Sequence, residues 1–314
     1  MLVMLLVCRP CTEAAEPAFP LKGDDVVVFV GGANVAAMEQ SGHLESLLTL
    51  AYAGTKLHFR NLGWEADTVY QQPRDFNFPT PSNLLARVGA TVIVMGFGQT
   101  EALQGPGKIS EFAAAYEALI DRATQQTSRI LLMTPTPFER PPGQLPDLSR
   151  RNADLARYVA TIQSIATRRG LQVVDLFTWV QAQRSDFAEW TDNGMHLSPV
   201  GQARVAELVA KQIVLAGSFS AAQDVDAKGA WRDPHREALR QAVVAKNRLW
   251  FDSWRPRNWA FLNGDRIEQL SSRDHRDPKV RWFPAEMERF TPLIYQAEHR
   301  IEELTANPAP PPAK

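Results

Sequence analysis

Val26-Val-Val-Phe-Val-Gly-Gly-Ala-Asn34 sets five large apolar residues, four of them valine, directly before two glycines. A continuous apolar run of this length, rich in β-branched residues, reads as a strand buried on both faces, and glycines after it permit a close strand-to-helix turn. The pattern recurs at Lys56–Leu62, Ala90–Phe97, Arg129–Thr134 and Gln172–Phe177, each run followed by a turn signal and a helix-period segment. Five such units predict parallel strands with crossover helices on both faces, hence one doubly wound α/β sheet. Ligands of such sheets sit beyond the carboxyl ends of the strands. The candidate site is therefore Gly31–Asn34, Gly63–Thr68, Gly98–Glu101, Pro135–Glu139 and, after a long loop, Asp192–His196.

Taken in order, these strand ends resemble the blocks of the SGNH or GDSL hydrolase family, most of all the version common in planctomycete-like bacterial proteins. The resemblance covers roughly residues 24–216. It implies a flavodoxin-like three-layer α/β/α sandwich around a five-stranded parallel sheet, and ester hydrolysis as the activity. The family's first block carries Gly-Asp-Ser with serine as nucleophile, and the matching residues are Gly31, Gly32 and Ala33. The second block's oxyanion-donating glycine matches Gly63 in Arg60-Asn-Leu-Gly-Trp-Glu-Ala-Asp-Thr-Val69. Gly98-Gln99-Thr100 matches the third block, Gly-x-Asn, with threonine in the place of asparagine. The family sets an Asp three residues before the catalytic His. Trp190-Thr-Asp-Asn-Gly-Met-His-Leu-Ser-Pro-Val-Gly201 supplies His196, with Asn193 three before it and Asp192 four before it.

These departures bear on the chemistry the resemblance implies. A serine attacks an acyl carbonyl only when a base takes its proton, and the base works only when a third group fixes its tautomer. Alanine supplies no lone pair. A one-residue shift of the loop would pair His196 with Asp192 as base and orienting carboxylate. Thr100 has a shorter reach than asparagine, and one lost oxyanion donor costs about 2.7–4 kcal/mol of transition-state stabilisation. Asn34 reads as a hydrogen-bond donor to a ligand, with Gly32, Gln99 and Asn193 as further substrate contacts. Ser41 lies about 10 Å beyond Ala33 along a helix, too far to replace the missing hydroxyl. Two readings stay open. One is a carbohydrate O-acyl esterase in which His196 activates water beside Asn34, Gly63 and Thr100; the other is a non-hydrolytic relative that binds an acylated or anionic glycan.

Glu65, Asp67 and Glu101 read as helix N-terminal carboxylates favoured by the macrodipole. No histidine pair or cysteine cluster has ligand spacing, so neither a metal nor a cofactor is expected. With 314 residues, 45% of them apolar, the chain exceeds the roughly 200 residues one such sheet needs, and the surplus is at the carboxyl end. A net charge of −1 gives no general attraction to nucleic acid or to an anionic membrane. No run reaches the roughly 18 apolar residues of a membrane span. The expected partner is a small-molecule or carbohydrate ester; the oligomeric state is left open. Cys8 and Cys11 both precede the first strand. Residues 1–23 read as a signal peptide without its basic region, with Ala14 and Ala15 near the cut, which implies export; the alternative is a disordered leader on a cytoplasmic protein.

Beyond the last crossover helix, Ser198–Leu215, a Gly/Ser/Ala-rich stretch, Ala216–Gly229, reads as a linker, so that the main domain covers 24–216 and a linker covers 217–230. An extension over 231–305 follows, and 306–314 read as a disordered tail. Five of the eight tryptophans fall between Trp231 and Trp282, interleaved with arginines. Helices are expected near His235–Phe251 and Ala285–Thr305, each with an apolar stripe for packing on the main domain. The planctomycete-like relatives have a similar tail, matched here by Lys246-Asn247 and Trp254-Arg-Pro-Arg-Asn258. Arg255, Asn258 and His275 are candidate ligand contacts, since guanidinium forks and tryptophan faces suit carboxylates and sugar rings. The alternative is that Arg and Trp stack on one another and staple the extension to the body.

Overall fold

The structure is a computed structural model and describes residues 19–74, 77–183, 190–214 and 224–306. Five parallel strands, β1 Asp25–Gly31, β2 Leu57–Asn61, β3 Val92–Gly96, β4 Ile130–Met133 and β5 Gln172–Val174, form one sheet in the order β2-β1-β3-β4-β5. The expected doubly wound sheet is thus present. Its strand order reverses between β1 and β3, and there the strand ends part to leave a crevice. β1 and β3 end level with each other, Gly31 paired with Gly96, and Gly96 in turn lies beside Met133.

The helices of the main body are α1 Ala33–Ser41, α2 His43–Ala51, α3 Pro81–Val88, α4 Gln99–Ala102, α5 Ile109–Thr124, α6 Asn152–Arg169, α7 Leu176–Ala182 and α8 Pro199–Ile213. Two apolar clusters fill the two sides of the sheet, as the continuous valine-rich strands require. One gathers Val28, Val30, Ile93 and Leu132 with Phe112, Tyr116 and Tyr158; the other gathers Val27, Phe29, Val94 and Leu131 with Leu47, Leu48 and Val209. The fifth strand is shorter than its apolar run suggests. Asp175 ends it by capping α7, accepting from the Thr178 amide at 3.1 Å, and the remaining apolar residues become helical.

The extension continues as α9 Pro234–Trp254, α10 Trp259–Leu262, α11 Trp282–Glu288 and α12 Phe290–Ala306. The sequence suggested one final helix; there are two. Pro292 has no N–H to give to the Glu288 carbonyl, and its ring crowds that carbonyl, so it is accommodated only in the first turn of a new helix. α9 lies against α1, α2 and β2. Fully buried Lys246 reaches Glu45 at 2.8 Å, Trp250 Nε1 donates to the Asn61 carbonyl at 2.9 Å, and Arg240 donates to the Ser41 carbonyl at 2.8 Å.

α12 is fastened to β2 by charge. Glu298 accepts from Arg60 at 2.6 Å and from His58 Nδ1 at 3.0 Å. Burial pushes the Glu298 carboxyl up, but the His58 hydrogen bond and the Arg60 charge outweigh it and hold the group down at about 2. A carboxylate held below its unfolded value, about 4.3, contributes stability above that pH and loses it as pH falls through the folded value. Acidification from about pH 4 to about pH 2 should therefore loosen α12, read by tryptophan fluorescence. Glu298→Gln should flatten that transition while lowering stability at neutral pH; an unchanged acid transition would assign it to other carboxylates.

Two expected boundaries move. Residues 19–22, grouped with the leader, pack on the body: Leu21 is buried, and the Pro20 carbonyl accepts from Arg129 at 2.7 Å. Residues 224–230, grouped with the linker, form a turn braced against the body, with Val225 bridged to Trp231. The proposed cleavage region, residues 217–223 of the linker and residues 307–314 lie outside the described residues. Among the described residues no helix is long and apolar enough to cross a membrane.

Candidate functional site

β1 delivers the Gly31–Asn34 turn to the crevice. Gly31 is required there, because a Cβ would stand 2.4 Å from the Gly96 carbonyl oxygen and 2.6 Å from Val35. Gly32 caps α1 and Ala33 begins it. The amides of Ala33 and Asn34 have no acceptor among the described residues, so the helix start presents two N–H donors with its positive dipole end. The cavity beside them is about 60 Å3, lined by Gly32, Ala33, Asn34, Gln99, Thr100, Met195 and Leu197 among others. A single water needs about 10–15 Å3 on this scale, so the space holds a few waters or a short acyl group.

Asn34 is not a free donor to a ligand, contrary to the sequence reading. Its Nδ2 gives one hydrogen to Gln99 Oε1 at 3.0 Å and the other to the Met195 carbonyl at 3.1 Å, while Oδ1 accepts from the Leu197 amide at 2.9 Å. It ties the nucleophile-position turn to the histidine loop. Gln99 is occupied too, donating to the Thr136 carbonyl at 3.1 Å. Thr100 is exposed and lines the cavity, with no hydrogen bond to its hydroxyl among the described residues.

Gly63 also departs from its expected role. Its N–H donates to Asn61 Oδ1 at 2.7 Å, and it does not line the cavity. Glycine is needed for packing, since a Cβ would meet the Ala36 amide nitrogen at 2.7 Å. In the same turn it is the Ala66 N–H that has no acceptor among the described residues. Asn61, which sequence reasoning passed over, is the hub: Nδ2 donates to the Val35 carbonyl at 2.8 Å, Oδ1 holds Gly63, and its own carbonyl accepts from Trp250. A carboxamide at the carboxyl end of β2, two residues before Gly63, was the available signal.

The histidine loop is a closed turn. Ser198 N–H donates to the Trp190 carbonyl at 2.8 Å and Asp192 N–H to the His196 carbonyl at 2.9 Å. Asn193, not Asp192, meets the imidazole. Its Oδ1 accepts from the His196 amide at 2.8 Å and the Met195 amide at 3.1 Å, which fixes the amide orientation and turns Nδ2 toward His196 Nδ1 at 3.1 Å. With Asn193 as donor, Nδ1 is the acceptor, which assigns the proton of the neutral ring to Nε2. A catalytic carboxylate would impose the opposite tautomer. Asp192 is exposed and has no hydrogen bond to the imidazole. His196 is exposed and does not itself line the cavity, although its neighbours Met195 and Leu197 do, and its Nε2 has no hydrogen bond among the described residues.

The buried carboxylates near the cavity are saturated. Glu101 accepts from the Gly98 and Val69 amides, each at 2.8 Å, and burial still pushes its carboxyl up. The helix-terminal reading fits Glu101, whose carboxylate accepts from the N-cap Gly98 N–H of α4, but not Asp67 or Glu65. Asp67 is gripped by Arg74 through two 2.8 Å contacts, with burial pushing its carboxyl up against that charge; Glu65 pairs with Arg255 at 2.9 Å. Of the tail residues proposed as ligand contacts, Arg255 stacks 3.5 Å from the Trp64 ring centroid, whereas Asn258 precedes α10 and His275 stands exposed beside Asp274. Among the described residues no group of three or more His, Cys, Asp and Glu could hold a metal ion.

Comparison with known proteins agrees with the fold. A GDSL-like protein from Parabacteroides merdae aligns at 15% identity over 64% of this chain and 100% of its own, with TM-score 0.50. An acetyl xylan esterase, AlAXEase, aligns at 19% identity over 60% of this chain and 100% of its own, with TM-score 0.48. In sequence, an isoamyl acetate-hydrolyzing esterase 1 homolog of Rattus norvegicus is 30% identical over 79 residues, 23% of this chain and 32% of that protein. The chain thus spans about a third of the curated relative it matches. The model of the GDSL-like Lipase/Acylhydrolase family matches residues 23–204, more than half of the chain, and the protein belongs to that family.

Proposed function

We propose that the protein is a non-hydrolytic member of its family that binds an acyl ester, an O-acylated carbohydrate, and holds the acyl carbonyl without transferring the acyl group to a serine. The observation that carries this reading is the Asn193–His196 hydrogen bond. It sets an amide donor, in place of a carboxylate, against Nδ1, which favours the tautomer with its proton on Nε2 and disfavours proton abstraction there. The Ala33 and Asn34 amides offer donors to a carbonyl oxygen, and alanine stands where the family's serine would. The small cavity beside them suits a short acyl chain. This favours binding over the alternative of water activation by His196. Incubation with a serine-directed fluorophosphonate should leave the protein unlabelled by mass spectrometry. Stoichiometric labelling would overturn the reading by revealing a nucleophile elsewhere in the chain.

A further inference from the structure

A second cleft, about 460 Å3, opens on the other side of the turn that borders the acyl cavity. Asp67 lines the acyl cavity, while Trp64 and Glu65 of the same turn line this cleft, whose opposite wall comes from the end of α9 and the start of α10. Its size is within the roughly 300–1,000 Å3 of small-molecule sites. The lining is partly aromatic: Trp64 is covered by the Arg255 and Arg74 guanidiniums, 3.5 and 4.2 Å from its centroid, which leaves Phe78 and Trp259 as the rings for a sugar face. Phe78 packs on Trp64 edge-on, with centroids 5.6 Å apart, and lies 4.5 Å from Trp259, tilted by 56°.

Charge narrows the class of ligand. Three guanidiniums line the cleft: Arg74 is neutralised by Asp67 and Arg255 by Glu65, whereas exposed Arg257 has no partner among the described residues. The balance is one uncompensated positive charge, which suits a monoanion and is too little for a polyanion such as a nucleic acid. The Glu65 side chain, 59% exposed, keeps lone pairs for hydroxyl donors. A pyranose ring has an apolar face for Phe78 and Trp259, hydroxyls for Glu65 and the guanidinium N–H groups, and, if oxidised at its terminal carbon, one carboxylate for Arg257.

We propose that this cleft binds a uronic acid unit of the glycan whose acyl group occupies the neighbouring cavity. The inference rests on the acyl-glycan reading above for its biological sense, but its test does not use an acyl group. Calorimetric titration of the full chain with a glucuronate-bearing xylotetraose should show binding, and unsubstituted xylotetraose should bind more weakly. Arg257→Gln should weaken the acidic sugar about tenfold, the scale of one charge-assisted hydrogen bond, and leave the neutral one unchanged. Trp259→Ala should weaken both. Equal affinity for both sugars, an indifferent Arg257→Gln variant, displacement by inorganic phosphate alone, or no binding of either sugar would overturn the proposal. Those outcomes leave the acyl cavity untouched; that reading fails separately, on fluorophosphonate labelling.

Discussion

The Ala33→Ser/Asn193→Asp double variant is expected to hydrolyse p-nitrophenyl acetate about 10,000-fold faster than Ala33→Ser alone, the factor by which replacing a triad carboxylate with its amide slows serine proteases. In the single variant the loop that borders the cavity carries an imidazole whose Nδ1 is held by Asn193, an arrangement that favours the proton on Nε2. That tautomer fills the base position. An aspartate at 193 keeps one oxygen on the Met195 and His196 amides and offers the other to Nδ1–H, which reverses the tautomer. Asn193→Asp alone should stay inactive for want of a nucleophile. Equal rates for the single and double variants would show that the asparagine does not control the ring.

The second large effect concerns the extension. Lys246 is fully buried and contacts Glu45 at 2.8 Å and the Phe59 carbonyl at 3.2 Å. Burial pushes the Glu45 carboxyl up and the Lys246 ammonium down, and each charge counters the shift of the other. Removing one partner of such a pair strands the other, at a cost of about 3–5 kcal/mol, whereas replacing both by apolar groups is often neutral. Lys246→Met should accordingly lose about 3–5 kcal/mol in urea denaturation, and Glu45→Leu/Lys246→Met should recover most of it. Loss of under about 1 kcal/mol in the single variant would mean that the pair contributes little to docking α9. The consequence reaches the site, because α9 also holds Asn61 through Trp250, and Asn61 positions both Gly63 and α1.

Much of this architecture was legible in the sequence because it depends on local pattern. Apolar runs followed by turn signals marked the strands, the glycines after β1 and β3 marked the crevice, and the order of the strand ends brought Ala33, Thr100 and the histidine loop to one place. What escaped was set by partners far along the chain. Asn34 reads as a ligand donor until the Met195 carbonyl, 161 residues away, is seen to take one of its hydrogens. Gly63 reads as an oxyanion donor until Asn61 claims its amide. A carboxylate suggested Asp192 as the partner of His196; the turn geometry instead selects Asn193, whose two backbone hydrogen bonds fix it in place. Lysine is rarely fully buried, so nothing in the local sequence announces Lys246 as the centre of an interface.

The tautomer of His196 separates binding from hydrolysis, and long-range 15N–1H correlation of the imidazoles at about pH 8 reads it directly. The His196 signals, assigned against a His196→Gln variant, should show the proton on Nε2 and a bare Nδ1. A proton on Nδ1, with Nε2 free to act as a base, would contradict the non-hydrolytic reading.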